Sequence, residues 1–437
     1  MCATVVPGQA PWIRPGVVVH DPAEVVDDLL AEFALTLRAR GFNVAGYIQH
    51  NNRGNTGKGQ GCAPRIEYLD ISSATVRTIE RTAATTYLRN AMRESADLLV
   101  ISHFYACIGA TDSVGASLDP QGTRGVPLLT SIAGQCIHKW HSYVRRDGSM
   151  IAPDVASLWS WWGPEQLYRD LALGVAEHEV RGIVCGPRWI MVEGPNGAGL
   201  APLPRHPRDL LPRLPRLARQ SLRALAELSR SWDPLEMALG VAAINAHYNR
   251  FDLVGQAGNG VKAFRKLTGQ VVAIGAFPGI DGVLPNCAVI EADPRPGEFP
   301  IVAMDTLLPG CSAAVVNSST VVNRSLPRIL RLARNRPVAL IGPATPMTPR
   351  VHDYGLDVLG GLVVTDITGL ATAIRAGATA REFGRFGRFM HISRKRAAQA
   401  TERADNESGN ARRTTGSPLP ATPPRLLVDT ETLSASS

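Results

Sequence analysis

The sequence predicts an α/β protein, and two observations carry that prediction. The first is a series of short apolar runs without polar alternation: Val271-Val272-Ala273-Ile274, Cys287-Ala288-Val289-Ile290, Ala313-Ala314-Val315-Val316, Val338-Ala339-Leu340-Ile341 and Leu362-Val363-Val364. Runs of strand length with no polar face read as strands buried on both sides, as in a parallel sheet. The second is a strand–helix–strand opening near the N-terminus. At 437 residues the chain is long enough for two or three domains with sizeable cores.

Taken in order, Val17-Val18-Val19 is the first strand. Asp21 and Pro22 then suit the N-cap and first position of a helix expected over 23–40. Its buried stripe is expected at Val25, Leu29, Phe33 and Leu37. Gly41 stops it, and Val44-Ala45-Gly46-Tyr47-Ile48 is the second strand. A P-loop would place GxxxxGK[ST] between first strand and helix, so that backbone N–H groups and a lysine face phosphate. That position reads His20-Asp21-Pro22-Ala23, and Gly57-Lys58-Gly59 falls after the second strand. The opening is therefore a degenerate P-loop-like unit, with no ATP expected. A helix around 87–94 and strands over 97–102 and 126–132 continue the pattern.

Cys136, His138 and His141 form a C-x-H-x-x-H cluster whose two histidines would share a helix face, a soft set suited to a transition-metal ion. No fourth ligand lies nearby, and a helix that merely carries polar residues is the simpler explanation of the pattern. Trp159, Trp161 and Trp162 read either as an aromatic seam between domains or as a partner surface. From Glu165 the pattern changes: a helix reaching Val180, an alternating antiparallel pair over 182–193, the turn Gly194-Pro195-Asn196-Gly197, and helices over 217–229 and 234–248. Asn245 and His247 at the end of the last helix either line a site or stop the helix.

Three blocks carry family resemblances. Residues 17–162, through "RARGFNVAGYIQ" (38–49), "ADLLVISHF" (96–104) and "GVPLLTSI" (125–132), resemble a bacterial domain of unknown function that looks like a P-loop-type α/β fold and occurs near molybdenum transport functions. That family's lysine-bearing motif after the strand of the second block is replaced here by Ser102-His103-Phe104-Tyr105-Ala106. "GPRWIMVEGPNGAGLA" (186–201) and "WDPLEMALGVAAINAHYNR" (232–250) resemble the small enolase-N-terminal-like domain that precedes the heavy-metal chelation domain in bacteria and archaea. The chelation domain itself is similar to "VIEADPRPGEFPIVAMDTLLPGCSAAVVNSSTVVNRSL" (289–326) and "ALIGPATPMTPRVHDYGLDVLGG" (339–361). The resemblance implies a doubly wound, Rossmann-like sheet facing the enolase-like unit across a cleft. Its contexts are metal homeostasis, cobalamin-type cofactor synthesis and molybdenum handling. The expected organisation is a lead (1–15), an α/β domain (16–162), a small α+β domain (163–255), the Rossmann-like domain (256–390) and a disordered, Pro- and Arg-rich tail (391–437).

The C-terminal runs end in small or polar residues: Gly275, Glu291, Asn317-Ser318-Ser319-Thr320, Gly342-Pro343-Ala344-Thr345 and Thr365-Asp366. Ligands of open α/β sheets bind beyond the carboxyl ends of the strands; strands also end in turn residues for purely local reasons. The candidate ligand-binding set is Glu291, Thr320, Asn323, Ser325, Gly342, Thr345 and Asn245. Thr320, Asn323 and Ser325 precede a helix expected over 326–333, whose N-terminus would offer N–H groups to an anion. One carboxylate among hydroxyls and amides suits an oxyanion or small polyfunctional ligand better than a soft metal. Three function classes follow. The first is a metal or metal-cofactor handling protein that binds a metal complex, metallate oxyanion or cofactor precursor. The second is a transferase or lyase with Glu291 as general base. The third is an interaction scaffold.

Composition narrows the partners. The formal charge is +8, but residues 375–437 hold 11 Arg/Lys against 6 Asp/Glu, and only five of the 46 basic residues are lysine. Such a distribution looks like coding bias plus a basic tail, so nucleic acid is not the expected partner. No apolar run approaches the ~20 residues of a membrane span, the N-terminus carries no secretory signal pattern, and seven scattered cysteines without CxxC imply reduced thiols. These point to a cytoplasmic protein, and a homo-oligomer is compatible with them.

Overall fold

The computed structural model describes residues 13–21, 26–49, 65–80, 96–102, 126–137, 148–203 and 211–394. The helix around 87–94, His138, His141 and the tail beyond 394 lie outside the described residues. No described helix is long and apolar enough to cross a membrane.

The first sheet contains β1 (Gly16–His20), β2 (Val44–Gln49), β3 (Arg65–Asp70), β4 (Thr75–Glu80), β5 (Leu98–Ile101), β6 (Leu128–Ala133) and β7 (Ser149–Ile151), ordered β4-β3-β2-β5-β6-β1-β7. The strands from β2 to β7 in that order run parallel; β3 and β4 add an antiparallel edge. β1 pairs with β6 and β7, so helix α1 (Val26–Ala39) carries the chain across the sheet rather than to a neighbouring strand. The buried face of α1 is Val26, Leu30, Phe33 and Leu37. Of the expected stripe, Phe33 and Leu37 are buried, Leu29 is partly buried against the core beside Leu30, and Val25 lies outside the described residues. A strict four-residue spacing drifts around a helix of 3.6 residues per turn, so the real face alternates steps of three and four.

The second sheet is an antiparallel meander of β8 (Gly182–Cys185), β9 (Trp189–Glu193) and β10 (Ala198–Pro202). Helix α2 (Val155–Trp162) follows β7 and packs on it and on α1, within the first unit, while α3 (Leu167–Leu173), α4 (Leu222–Glu227) and α5 (Pro234–Tyr248) accompany the second sheet. The helix expected to reach Val180 ends at Gly174. Asp233 caps α5 by accepting from the N–H groups of Leu235 and Glu236 at 2.8 and 3.2 Å, as its Asp-Pro start predicts. From Met237 to Ala246 this helix is buried on all sides. A helix apolar all round belongs inside a protein rather than on its surface.

The third sheet holds β11 (Gln256–Ala257), β12 (Val271–Ile274), β13 (Cys287–Glu291), β14 (Phe299–Pro300), β15 (Ala313–Asn317), β16 (Val338–Ile341), β17 (Val358–Val364) and β18 (Gly387–Ser393). Its order is β11-β18-β17-β16-β15-β12-β13-β14, parallel from β17 to β14. The chain thus lays β13 and β14 on one side of β12 and then returns to lay β15, β16 and β17 on the other. That is the doubly wound arrangement, with its switch point between β12 and β15. Helices α6 (Leu326–Leu332) and α7 (Ile367–Arg375) complete this unit. β17 starts at Val358, four residues before the expected run, because Gly360 and Gly361 dilute its apolar signal. β18 pairs antiparallel with β17 up to Ser393, so 391–393 are strand rather than tail.

A continuous apolar core runs through all three units, from Val18 and Leu30 through Leu239 to Val272 and Leu340. Trp159 packs edge-on against Phe33 at 5.4 Å and Tyr354 at 5.3 Å, which makes the tryptophan segment a seam between the first and third units. Beside it, Asp170 is 0% exposed. Its Oδ2 accepts from Arg40 Nη1 at 2.6 Å and the Tyr354 hydroxyl at 2.9 Å, and its Oδ1 accepts from Arg350 Nε at 2.9 Å. Arg40 also pairs with Asp353. One carboxylate thus ties all three units together, with its charge met by two guanidinium groups.

Candidate functional site

The switch point of the third sheet is formed by the ends of β12 and β15, namely Gly275 and Asn317. Gly275 has φ +91°, and a Cβ there would lie 2.7 Å from the Asn317 Cβ. Only glycine accepts both the conformation and the approach. Asn317 uses the space it leaves: its Nδ2 donates to Ala276 O at 3.2 Å, and its Oδ1 accepts from Ser319 N at 3.0 Å. The asparagine side chain therefore lies across the two strand ends. Beyond it the loop Ala276-Phe277-Pro278-Gly279 is open, with nothing within 4 Å of a Cβ placed on Gly279. Glu291, at the end of the adjacent β13, is partly exposed, and its Oε2 accepts from Ala292 N at 2.8 Å.

Parallel pairing sets the ends of β13, β12, β15 and β16 along one edge, which brings Glu291, Asn317 and Gly342 to the same side of the sheet. The neighbouring candidates are committed to other work. Thr320 Oγ1 donates to Asn317 O at 2.7 Å, and Asn323 Oδ1 accepts from both the N–H and hydroxyl of Ser325, at 3.0 and 2.6 Å. α6 is only seven residues long, and the Ser319 and Ser325 N–H groups are already bonded to asparagine side chains. Local Asx turns thus already take two of the backbone donors around 320–325. This segment also docks the second unit: Tyr168 OH donates to Val321 O at 2.8 Å, and Arg324 Nη2 donates to Ser229 O and Ser231 O at 3.0 and 2.8 Å. Burial lowers the Arg324 pKa.

Gly342, with φ +141°, lies where a Cβ would be 2.3 Å from Ser318 Oγ. That hydroxyl accepts from Ala344 N at 3.2 Å and starts a buried loop over 343–348. Thr345 is 0% exposed and faces inward, its hydroxyl donating to Leu340 O. Two amides of α5 hold this loop down. Asn245 Nδ2 donates to Ala344 O at 3.0 Å and Leu200 O at 2.9 Å; Asn249 Nδ2 donates to Thr345 O at 3.0 Å while its Oδ1 accepts from Met347 N at 2.9 Å. The Asn245 Oδ1 is buried and has no protein partner among the described residues. The end of α5 thus packs on the 342–348 loop as a clamp. The candidate set read from the sequence holds Asn245 and leaves out Asn249. Its three bonds to distant backbone are invisible without the fold.

Soft donors are poorly placed. Cys136 ends a short turn after β6, and its histidine partners lie outside the described residues. Burial pushes the Cys287 thiol up to about 11 and raises those of Cys185 and Cys311, so all three are protonated near neutrality and disfavoured as thiolate ligands. Among the described residues, no three His, Cys, Asp or Glu side chains gather to hold a metal ion. A naked metal ion does not fit these donors.

Comparisons with known proteins divide the chain along its three sheets. Residues 16–161 match a family described as a protein of unknown function, and residues 168–248 and 263–393 match two families both described as "Putative heavy-metal chelation". The molybdenum import ATP-binding protein ModC 2 of Bradyrhizobium diazoefficiens is 23% identical over 165 residues, covering 34% of this chain and 18% of that protein. The chain thus spans less than a fifth of this curated relative. Two solved structures of unknown function are similar. One, from Desulfitobacterium hafniense, has 30% identity and a TM-score of 0.47; the other, from Pyrococcus horikoshii, has 20% identity and a TM-score of 0.44. Each alignment covers 52% of this chain and 97% of the other. The second and third units are thus each similar to a family described as "Putative heavy-metal chelation", over residues 168–248 and 263–393.

Proposed function

We propose that the protein handles a metal in complexed form, binding a metal-containing ligand in the crevice beyond β12 and β15. The single observation that carries this reading is the switch point itself. Gly275 and Asn317 stand at the place where doubly wound sheets take their ligands, with the Glu291 carboxylate alongside. The family description supplies the metal. A carboxylate, an amide and an exposed glycine loop suit the outer groups of a small chelate, or one vacant position on its metal, better than a bare soft ion. The clamp from Asn245 and Asn249 keeps the neighbouring loop in place and acts at one remove.

Calorimetry with cobalt or nickel chelates of small polyamines, alongside molybdate and the free ions, tests the reading. Binding of a chelate that weakens in both Glu291→Gln and Asn317→Ala supports it. Failure of every such compound to bind the folded protein, or binding indifferent to both substitutions, removes it.

A further inference from the structure

The opposite, amino-terminal edge of the same sheet carries a second concavity, of about 660 Å³, where α2 of the first unit meets the third. Val155, Trp159 and Pro164 line it from one side of the chain's unit boundary and Leu267, Leu330 and Pro337 from the third unit, with the rings of Phe264 and Tyr354 also in the lining. The volume lies inside the ~300–1,000 Å³ range of small-molecule sites. Among the lining residues are the aromatic side chains of Trp159, Phe264 and Tyr354, and such rings suit contact with another flat, aromatic body.

The charges around the slot are not balanced locally. Three aspartates line it, and each is engaged: Asp154 caps α2 by accepting from Ser157 N at 2.8 Å, Asp353 pairs with Arg40 and Arg394, and Asp357 accepts from Val338 N at 3.0 Å. Of the lining arginines, Arg331 is paired with Glu165 and Arg394 with Asp353. Arg336 meets only a carbonyl, donating from Nη2 to Pro309 O at 3.1 Å. Arg334 lines the slot without a hydrogen bond or ion pair to any described residue. The two flank Asn335, whose φ of +65° turns the chain sharply after α6. Two guanidinium groups without carboxylate partners stand at this slot, and the forked donors of arginine match phosphate and carboxylate.

We propose that this slot binds an aromatic organic anion of about mononucleotide size, the ring lying against the aromatic side chains of the lining and the anionic group held by Arg334 and Arg336. Because the lining comes from different units, the ligand would bridge the first unit to the third. The site lies at the other edge of the sheet from the proposed metal-chelate crevice and stands or falls separately from it.

Fluorescence titration of the full chain with N-methylanthraniloyl-AMP, with unlabelled AMP as competitor, tests the proposal. Saturable binding is expected, weakened about tenfold or more by Arg334→Glu/Arg336→Glu, as loss of charge-assisted hydrogen bonds predicts. It should also weaken in Ala156→Trp, which fills the slot from an exposed position of α2 while keeping every charge. Circular dichroism and unchanged thermal unfolding establish that both variants fold. No displaceable binding of AMP at about 1 mM, the weak end of specific recognition, overturns the proposal, as does binding indifferent to both variants. Pyrophosphate competing as well as AMP would show charge without an aromatic subsite and overturn it too.

Discussion

The two edges of the third sheet are built from the same strands and reach opposite solutions. At the carboxyl edge nearly every polar group is satisfied within the protein: Asn317, Thr320, Asn323 and Ser318 all bond to nearby backbone, and α5 clamps the 342–348 loop from above. At the amino edge Arg334 and Arg336 face a cavity while the aspartates around them are otherwise engaged. The comparison teaches that polar residues at strand ends do not by themselves mark a site. What counts is how many donors remain after local turns and neighbouring units have taken theirs.

The largest effect is expected where the amino edge is held together. Asp170→Ala leaves Arg40 and Arg350 partly buried without their common carboxylate and removes the Tyr354 acceptor. Breaking a buried pair in this way typically costs about 3–5 kcal/mol, and urea denaturation should show a loss of that order. The same variant should lose N-methylanthraniloyl-AMP binding while keeping chelate binding at the carboxyl edge. Equal loss at both edges would mean that Asp170 serves the whole fold rather than the junction.

Intermediate effects are expected at the clamp. Asn249→Ala strands Met347 N and removes two bonds to the carbonyls of Thr345 and Leu362. An unsatisfied buried group costs about 1–3 kcal/mol. Gly342→Ala combines a left-handed φ with a collision against Ser318 Oγ, and strain of this kind costs about 1–3 kcal/mol. Both should weaken chelate binding and leave the amino-edge slot untouched. The comparison fails if either variant weakens AMP binding as much as chelate binding.

Legibility in the sequence followed the range of the signal. The five apolar runs of the third unit became parallel strands because burial on both faces removes polar alternation, a local property that Val271-Val272-Ala273-Ile274 displays unaided. Asp233-Pro234 announced α5 in the same way. Strand order is not local, so the switch point could not be placed at Gly275 and Asn317 beforehand, although both were visible as strand ends. The hydroxyl and amide cluster of 320–325 was visible in the sequence as polar, whereas the Asx turns that take its Ser319 and Ser325 N–H groups were not, because such turns consume donors without changing composition. The amino-edge slot left no trace, since Val155 and Pro337 are brought together only by the packing of two units.

The smallest expected effect distinguishes the two edges by pH. His352 lies in the segment that forms the junction; its Nδ1 is 2.6 Å from Leu356 O and its ring is 8% exposed. Burial lowers its pKa, with Arg394 adding to the shift, while the Leu356 carbonyl, Asp357 and Asp353 oppose it. His247 ends the clamp helix, and burial with the nearby His178, Arg250 and Arg350 lowers its pKa against a single opposing backbone bond. In both cases the folded protein keeps a neutral imidazole at pH values where the unfolded chain, near its ordinary 6.5, already takes a proton. The unfolded state therefore binds more protons below about 6.5, and linkage makes stability fall as pH drops through that value, with the contribution fully present above it. Urea midpoints measured between about pH 7.5 and about pH 5.5, the histidine window, should decline for the wild type. They should decline less for His352→Gln and His247→Gln. His352→Gln should also flatten the pH dependence of AMP binding at the slot, whereas His247→Gln should act on chelate binding alone. A decline of the same steepness in both variants would place the pH sensitivity elsewhere and detach it from either edge.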